Sequence, residues 1–180
     1  MTSRFLVSNA RVLLFVISLL ICFLSSWSAG KNTAEIMTLT GFCTLLAFIS
    51  VQDHTNHKIP NKLTLFPIPI VFFLSFLIPN IYEFSLTEIW WVAPLFGSLI
   101  GGIIFSICYF LPTVTLGGGD VKLATLIGSI TGFPLCLASL LIGLLIFVVK
   151  QALDGNKEST PLGLYLYCGT LISIIVAQQL

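Results

Sequence analysis

Long apolar segments separated by short polar stretches dominate this chain. Of its 180 residues, 57% are hydrophobic and only 8% are charged, whereas roughly 25% of the residues in soluble domains are charged. The composition therefore predicts an all-α polytopic membrane protein, a single bundle of about seven transmembrane helices with six as the alternative. The seven apolar segments are 12–27, 37–51, 63–78, 90–111, 121–131, 135–149 and 162–176. The net charge of +1 argues against a nucleic-acid partner and leaves the lipid bilayer as the expected surroundings.

The fifth and sixth segments are separated by Gly132-Phe133-Pro134. A continuous helix from 121 to 149 would measure roughly 43 Å at about 1.5 Å per residue. That exceeds the ~30 Å hydrocarbon core of a bilayer, and proline interrupts helices. We therefore predict two short helices that form a tight hairpin.

The basic residues predict the orientation of the bundle. With the N-terminus in the cytoplasm and seven spans, Lys31 is the one basic residue outside and the other seven lie inside, as the positive-inside rule requires. Joining the fifth and sixth segments would change seven against one into five against three. The inside residues are Arg4, Arg11, Lys58, Lys62, Lys122, Lys150 and Lys157.

Two aspartates lie at the polar ends of apolar segments. Asp53 follows the second segment and Asp120 precedes the fifth, so the predicted topology places both at the cytoplasmic face. Carboxylates are costly near a bilayer and mark candidate functional sites. Each also has an ordinary explanation: Asp120 as a helix N-cap, and Asp53 as a helix end that enters a polar loop.

Distinctive residues accompany each aspartate. Ile59-Pro60-Asn61 follows Asp53, where proline restricts the first helical turn and Asn61 can bond the local backbone. Gly117-Gly118-Gly119 precedes Asp120, and glycine permits close backbone approach and positive φ, as an extended peptide substrate would require. Lys122 is either an interfacial anchor or a charge that orients the substrate or a carboxylate.

Together, the two motifs closely resemble those of the type IV prepilin peptidase family of GxGD-type aspartyl proteases, in particular the short Tad/Cpa-type members that serve Flp pili. The resemblance extends over residues 41–169 and includes a weaker match at Thr160-Pro161-Leu162-Gly163. It implies that Asp53 and Asp120 are the catalytic pair and that Gly117–Gly119, Lys122 and Ile59–Asn61 support them or bind substrate. The implied substrate is a prepilin or pseudopilin, cleaved at the cytoplasmic face of the bacterial inner membrane, with pilus or secretion machinery as a further partner.

Long members of that family carry paired CxxC motifs in a domain linked to N-methylation. The five cysteines of this chain form no CxxC motif, so the resemblance implies cleavage without methyl transfer. The sequence supports neither a metal site nor a cofactor. We expect one membrane-embedded peptidase domain over 1–180, with an uncleaved extra N-terminal helix in 1–35 and the catalytic core in 36–178.

Two other functions fit a small membrane protein with two aspartates. A proton-coupled transporter or channel subunit would use carboxylates to relay ions, although both aspartates fall near one face and no internal repeat is evident. A non-catalytic assembly factor of a pilus or secretion system is the other alternative. Cleavage of a prepilin that depends on both aspartates would separate the peptidase from these two functions.

Overall fold

The computed structural model describes residues 16–17, 19–56, 61–78, 92–111, 116–154 and 161–179. Within these ranges the chain is helical apart from short turns. We number the helices in chain order as α1 (Leu19–Ser28), α2 (Thr33–Asn56), α3 (Asn61–Leu65), α4 (Pro67–Leu77), α5 (Val92–Phe110), α6 (Gly118–Thr131), α7 (Leu135–Asp154) and α8 (Gly163–Gln179).

The described parts of the seven predicted apolar segments coincide with helices, the third being divided into α3 and α4 by a turn at Phe66. Among the described residues, three helices are long and apolar enough to cross a membrane by length and composition: α2 over Thr33–His54, α5, and α7 over Leu135–Leu153. Helices α1 and α8 are apolar but shorter. The prediction of a helical membrane bundle is confirmed.

The predicted break between the fifth and sixth segments is present, but only α6 is short. The prediction that both helices are short is wrong for α7, which extends past the sixth segment to Asp154 and has 20 residues. Helix α6 ends at Thr131 and α7 begins at Leu135. Gly132 ends α6 with φ at 69°, a conformation that favours glycine, and its N–H donates to the Gly128 carbonyl at 2.9 Å. As a result α6 has only 14 residues and is roughly 21 Å long.

Small residues bring α5 and α6 into close backbone contact. Gly97 faces Gly128, and Gly101 faces Ala124, where an added Cβ would lie 2.6 Å from the Ala124 carbonyl oxygen. Membrane helices commonly associate in this way because there is little hydrophobic force between them inside lipid. This contact fixes the position of α6 and therefore of Asp120 in its first turn.

The bundle brings particular helix ends together. At one end, a small cavity is lined by Lys31 beside the start of α2, Thr131 at the end of α6, Leu135 at the start of α7 and Gln178 near the end of α8. The C-terminal end of α2 and the N-terminal ends of α6 and α8 therefore lie at the opposite end of the bundle. Asp53, near the end of α2, and Asp120, in the first turn of α6, therefore lie at this opposite end.

Helix α1 packs against α2 and α8. The Sγ atoms of Cys22 and Cys43 lie 3.0 Å apart, and the Ser25 hydroxyl donates to Oε1 of Gln178 at 2.8 Å. The proposed boundary between 1–35 and 36–178 falls within the first turn of α2, which begins at Thr33.

Candidate active site

Asp53 lies inside the last turns of α2 and is only 7% exposed. Its Oδ2 accepts a hydrogen bond from the backbone N–H of Gly163 at 3.0 Å. Gly163 is the first residue of α8, where N–H groups have no partner within the helix and the helix dipole is positive. The start of α8 therefore provides a hydrogen-bond donor for the Asp53 carboxylate.

The contact leaves no space for a side chain at residue 163. A Cβ on Gly163 would lie 2.7 Å from Asp53 Oδ2 and 3.3 Å from Asp53 Cβ. Gly163 does not have a positive φ, so what the site requires is space beside the carboxylate rather than backbone freedom.

Ser50 lies one turn before Asp53 on the same face of α2. Its hydroxyl is within donating distance of two carbonyl oxygens, that of Leu46 in its own helix at 2.8 Å and that of Gly163 at 3.1 Å. The side chain is 1% exposed. Residues 50 and 53 of α2 thus contact the C=O and the N–H of a single residue of α8.

Asp120 is the third residue of α6 and is held by local contacts. Gly117 precedes the helix in an extended conformation (φ −79°, ψ 144°), and its N–H donates to Asp120 Oδ2 at 3.1 Å. Asp120 is therefore not the N-cap residue; its carboxylate instead reaches back to the residue that precedes the helix. None of Gly117, Gly118 and Gly119 has a positive φ, and the last two form the first turn of α6.

The two aspartates interact electrostatically. Asp120 is partly buried and precedes the apolar segment 121–131. Burial raises the pKa of Asp120, the charge of Asp53 raises it further, and the hydrogen bond from Gly117 lowers it, giving a pKa of about 6 against an ordinary value of 3.8. Asp120 therefore retains its proton at a pH where an ordinary aspartate has lost it.

The other predicted site residues lie in α6, at the start of α3 or outside the described residues. Lys122 is half-buried in α6, and Asn61 begins α3. Ile59 and Pro60 lie outside the described residues. A Cβ on Gly118 would meet Tyr109 Cε2 at 4.0 Å, an ordinary contact.

Sequence reasoning missed two residues next to Asp53. Ser50 had a usable signal, since a polar residue three positions before a buried aspartate shares its helix face. Gly163 falls in the 160–163 segment of the family resemblance but was not among the predicted site residues. Its contact with Asp53 joins positions 110 residues apart, which no local pattern encodes.

Among the described residues, no group of three or more His, Cys, Asp or Glu side chains is arranged to hold a metal ion. Two carboxylates at one end of the bundle, one accepting from the first residue of α8 and one with a raised pKa, are suited to general acid–base chemistry.

Comparison with known proteins places the chain in a family. The Type IV leader peptidase family matches residues 40–150, more than half of the chain. The Prepilin leader peptidase/N-methyltransferase of Bacillus subtilis (strain 168) is 29% identical over 152 residues, which cover 81% of this chain and 58% of that protein. This chain thus matches little more than half the length of that relative, and no solved structure matches it. On the family match, the chain belongs to the type IV leader peptidase family.

Proposed function

We propose that this protein is an aspartic-type endopeptidase that removes the leader from type IV or Flp prepilins or pseudopilins. The observation that carries the proposal is the placement of Asp53 and Asp120 at the same end of the bundle, near enough that the charge of Asp53 raises the pKa of Asp120. These residues lie in different helices at one end of the bundle, in a chain of a leader peptidase family.

Asp53 and Asp120 take different roles in the proposed mechanism. Asp53 accepts the Gly163 N–H at the positive end of α8 and acts as the ionised general base. Asp120, with its raised pKa, is the general acid. This division follows the general pattern in which the surroundings of paired carboxylates separate their protonation states.

The atoms balance through two steps. Asp53 takes a proton from a water molecule while the oxygen of that water bonds to the scissile carbonyl carbon. At the same time Asp120 gives its proton to the carbonyl oxygen. The resulting gem-diol then returns a proton to Asp120 as the C–N bond breaks, and Asp53 delivers its proton to the leaving nitrogen. Both aspartates end in their starting states, and no covalent enzyme intermediate forms.

The site is proposed to face the cytoplasm at the bacterial inner membrane. The excess of basic residues on the side of the aspartates supports this orientation. Residues 36–178 form the catalytic core and 1–35 add a helix to it. Cleavage proceeds without methyl transfer, because the paired CxxC motifs are missing from this sequence.

Around the pair, Gly118 and Gly119 form the first turn of α6, and Gly117 before it donates its N–H to Asp120. Lys122 places a positive charge within the same helix. Asn61 begins α3, and Ile59 and Pro60 are assigned on the family resemblance alone. These residues are proposed to support the pair and the bound prepilin, which then passes to the pilus or secretion machinery.

The test is prepilin processing in membranes that contain the full chain and a candidate prepilin. We expect Asp53→Asn and Asp120→Asn each to abolish cleavage at unchanged membrane abundance, because an amide can neither accept nor deliver the proton. Glu35→Gln is the matched control, since Glu35 is a buried carboxylate (3% exposed) in the first turn of α2, at the opposite end of the bundle.

Processing that survives either aspartate substitution would exclude the acid–base pair. Ion or solute transport that requires both aspartates while prepilin stays uncut would favour a transporter. Pilus assembly that persists in both variants would favour a non-catalytic assembly factor.

A further inference from the structure

We propose that Ser50 is a positioning residue for the reaction: its hydroxyl holds the start of α8 so that the Gly163 N–H stays on the Asp53 carboxylate. The inference rests on the proposed function, in which Asp53 is the general base. It assigns a role to a side chain that touches neither the substrate nor the reacting atoms.

The geometry is a two-point contact between α2 and one residue of α8. Asp53 Oδ2 accepts the Gly163 N–H at 3.0 Å, and the Ser50 hydroxyl donates toward the Gly163 carbonyl at 3.1 Å. A single hydrogen bond sets a distance but leaves the donor free to rotate. Two contacts on the opposite backbone groups of one residue also set the direction in which the N–H points.

A serine within a helix often donates to the carbonyl four residues earlier, with no role beyond that. Ser50 has such an acceptor in Leu46, and Ser173 of α8 has one in Gly169 at 2.9 Å. Ser50 differs because it has a second acceptor on another helix, adjacent to a candidate catalytic carboxylate. Its single proton is shared between the two carbonyls, and burial excludes water as a substitute donor.

The lack of space around Gly163 makes the site sensitive to small displacements of α8. The position of a Cβ on Gly163 already overlaps Asp53 Oδ2 at 2.7 Å, so a rotation of the first turn of α8 that loses the N–H contact also changes how closely the backbone approaches the carboxylate. Ser50 opposes such a rotation from the carbonyl side.

The experiment measures kcat, KM and the pH profile of prepilin cleavage with the purified full chain in lipid vesicles. We expect Ser50→Ala to lower kcat about tenfold, with KM little changed. We also expect the acidic limb of the profile to move to higher pH, because a carboxylate that loses its donor is more easily protonated. Ser50→Thr retains the hydroxyl and should recover most of the activity.

Ser173→Ala is the matched control, because it removes another buried hydroxyl (3% exposed) that donates within its own helix. If Ser50→Ala matches Ser173→Ala in kcat and in pH profile, the positioning role is overturned. If Ser50→Ala loses thermal stability and activity together with the acidic limb unmoved, Ser50 is only structural and the proposal is again overturned. If Ser50→Ala folds poorly, Ser50→Thr becomes the deciding variant. A kcat and an acidic limb close to those of the wild type then support the positioning role. A loss of activity in a folded Ser50→Thr protein opposes it.

Asp53→Asn, assayed in parallel, separates the two proposals. If Asp53→Asn still cleaves, the proposed acid–base function fails, and the role of Ser50 fails with it. If Asp53→Asn is inactive while Ser50→Ala behaves as Ser173→Ala does, the catalytic pair stands and only the role of Ser50 is refuted.

Discussion

Asp53 and Asp120 each accept a backbone N–H near the start of a helix, but the two donors come from different parts of the molecule. Asp120 bonds to Gly117, three positions earlier at the start of its own helix. Asp53 bonds to Gly163, 110 positions later in the chain. The Asp120 contact can form whenever α6 forms, whereas the Asp53 contact requires α2 and α8 to dock correctly.

The two glycines also differ in the space they leave. An added Cβ would lie 2.7 Å from the carboxylate at Gly163 but 3.2 Å from it at Gly117. The same substitution at both positions therefore tests whether the tertiary contact is stricter than the local one.

Gly163→Ala should have the largest effect, a loss of about 100-fold or more in kcat/KM, because the methyl group pushes the Asp53 carboxylate out of position. Steady-state cleavage of a prepilin measures this. Gly41→Ala is the matched control in α2, since nothing lies within 4 Å of the added carbon. A fully active Gly163→Ala enzyme would show that the α8 contact does not hold the catalytic base.

The pH dependence of cleavage should show the raised pKa of Asp120. Because Asp120 must carry a proton to act as the acid, activity should fall as the pH rises through about 6, by roughly tenfold per pH unit. The measurement is kcat/KM against pH in vesicles. A rate that stays constant up to pH 8 would contradict the assignment of Asp120 as the acid.

The raised pKa of Asp120 also makes the stability of the folded protein depend on pH. The pKa of Asp120 is about 6 in the folded protein, above its ordinary value of 3.8. The protonated carboxyl therefore contributes its full stabilisation of the fold below pH 3.8. It is lost as the pH rises through about 6. Thermal unfolding should show Asp120→Asn gaining stability relative to the wild type across this window.

Gly117→Ala should have the smallest effect, a fall of roughly two- to fivefold in kcat. Its backbone conformation suits any residue, and a contact of 3.2 Å needs only a small shift of Asp120 Oδ2. The same cleavage assay and the Gly41→Ala control apply. Equal losses at Gly117 and Gly163 would remove the distinction between the local and the tertiary contact.

Much of the fold was predictable because membrane helices are encoded by continuous local patterns. Apolar length indicated the helices, and Gly132 with Pro134 indicated the break between α6 and α7. Helix ends were less predictable: α6 begins at Gly118 and includes Asp120, although glycine has a low helix propensity.

The sequence by itself determined a helical membrane protein, two aspartates near helix ends, and the residues by which Asp120 can bond within its own turn. Tertiary structure decided the surroundings of Asp53: which helix end donates to it, that residue 163 must be small, and that Ser50 lies on the far side of the same backbone unit. The physical reason is range. Helix formation and capping depend on residues a few positions apart, whereas a contact across 110 positions forms only when packing brings α2 and α8 together.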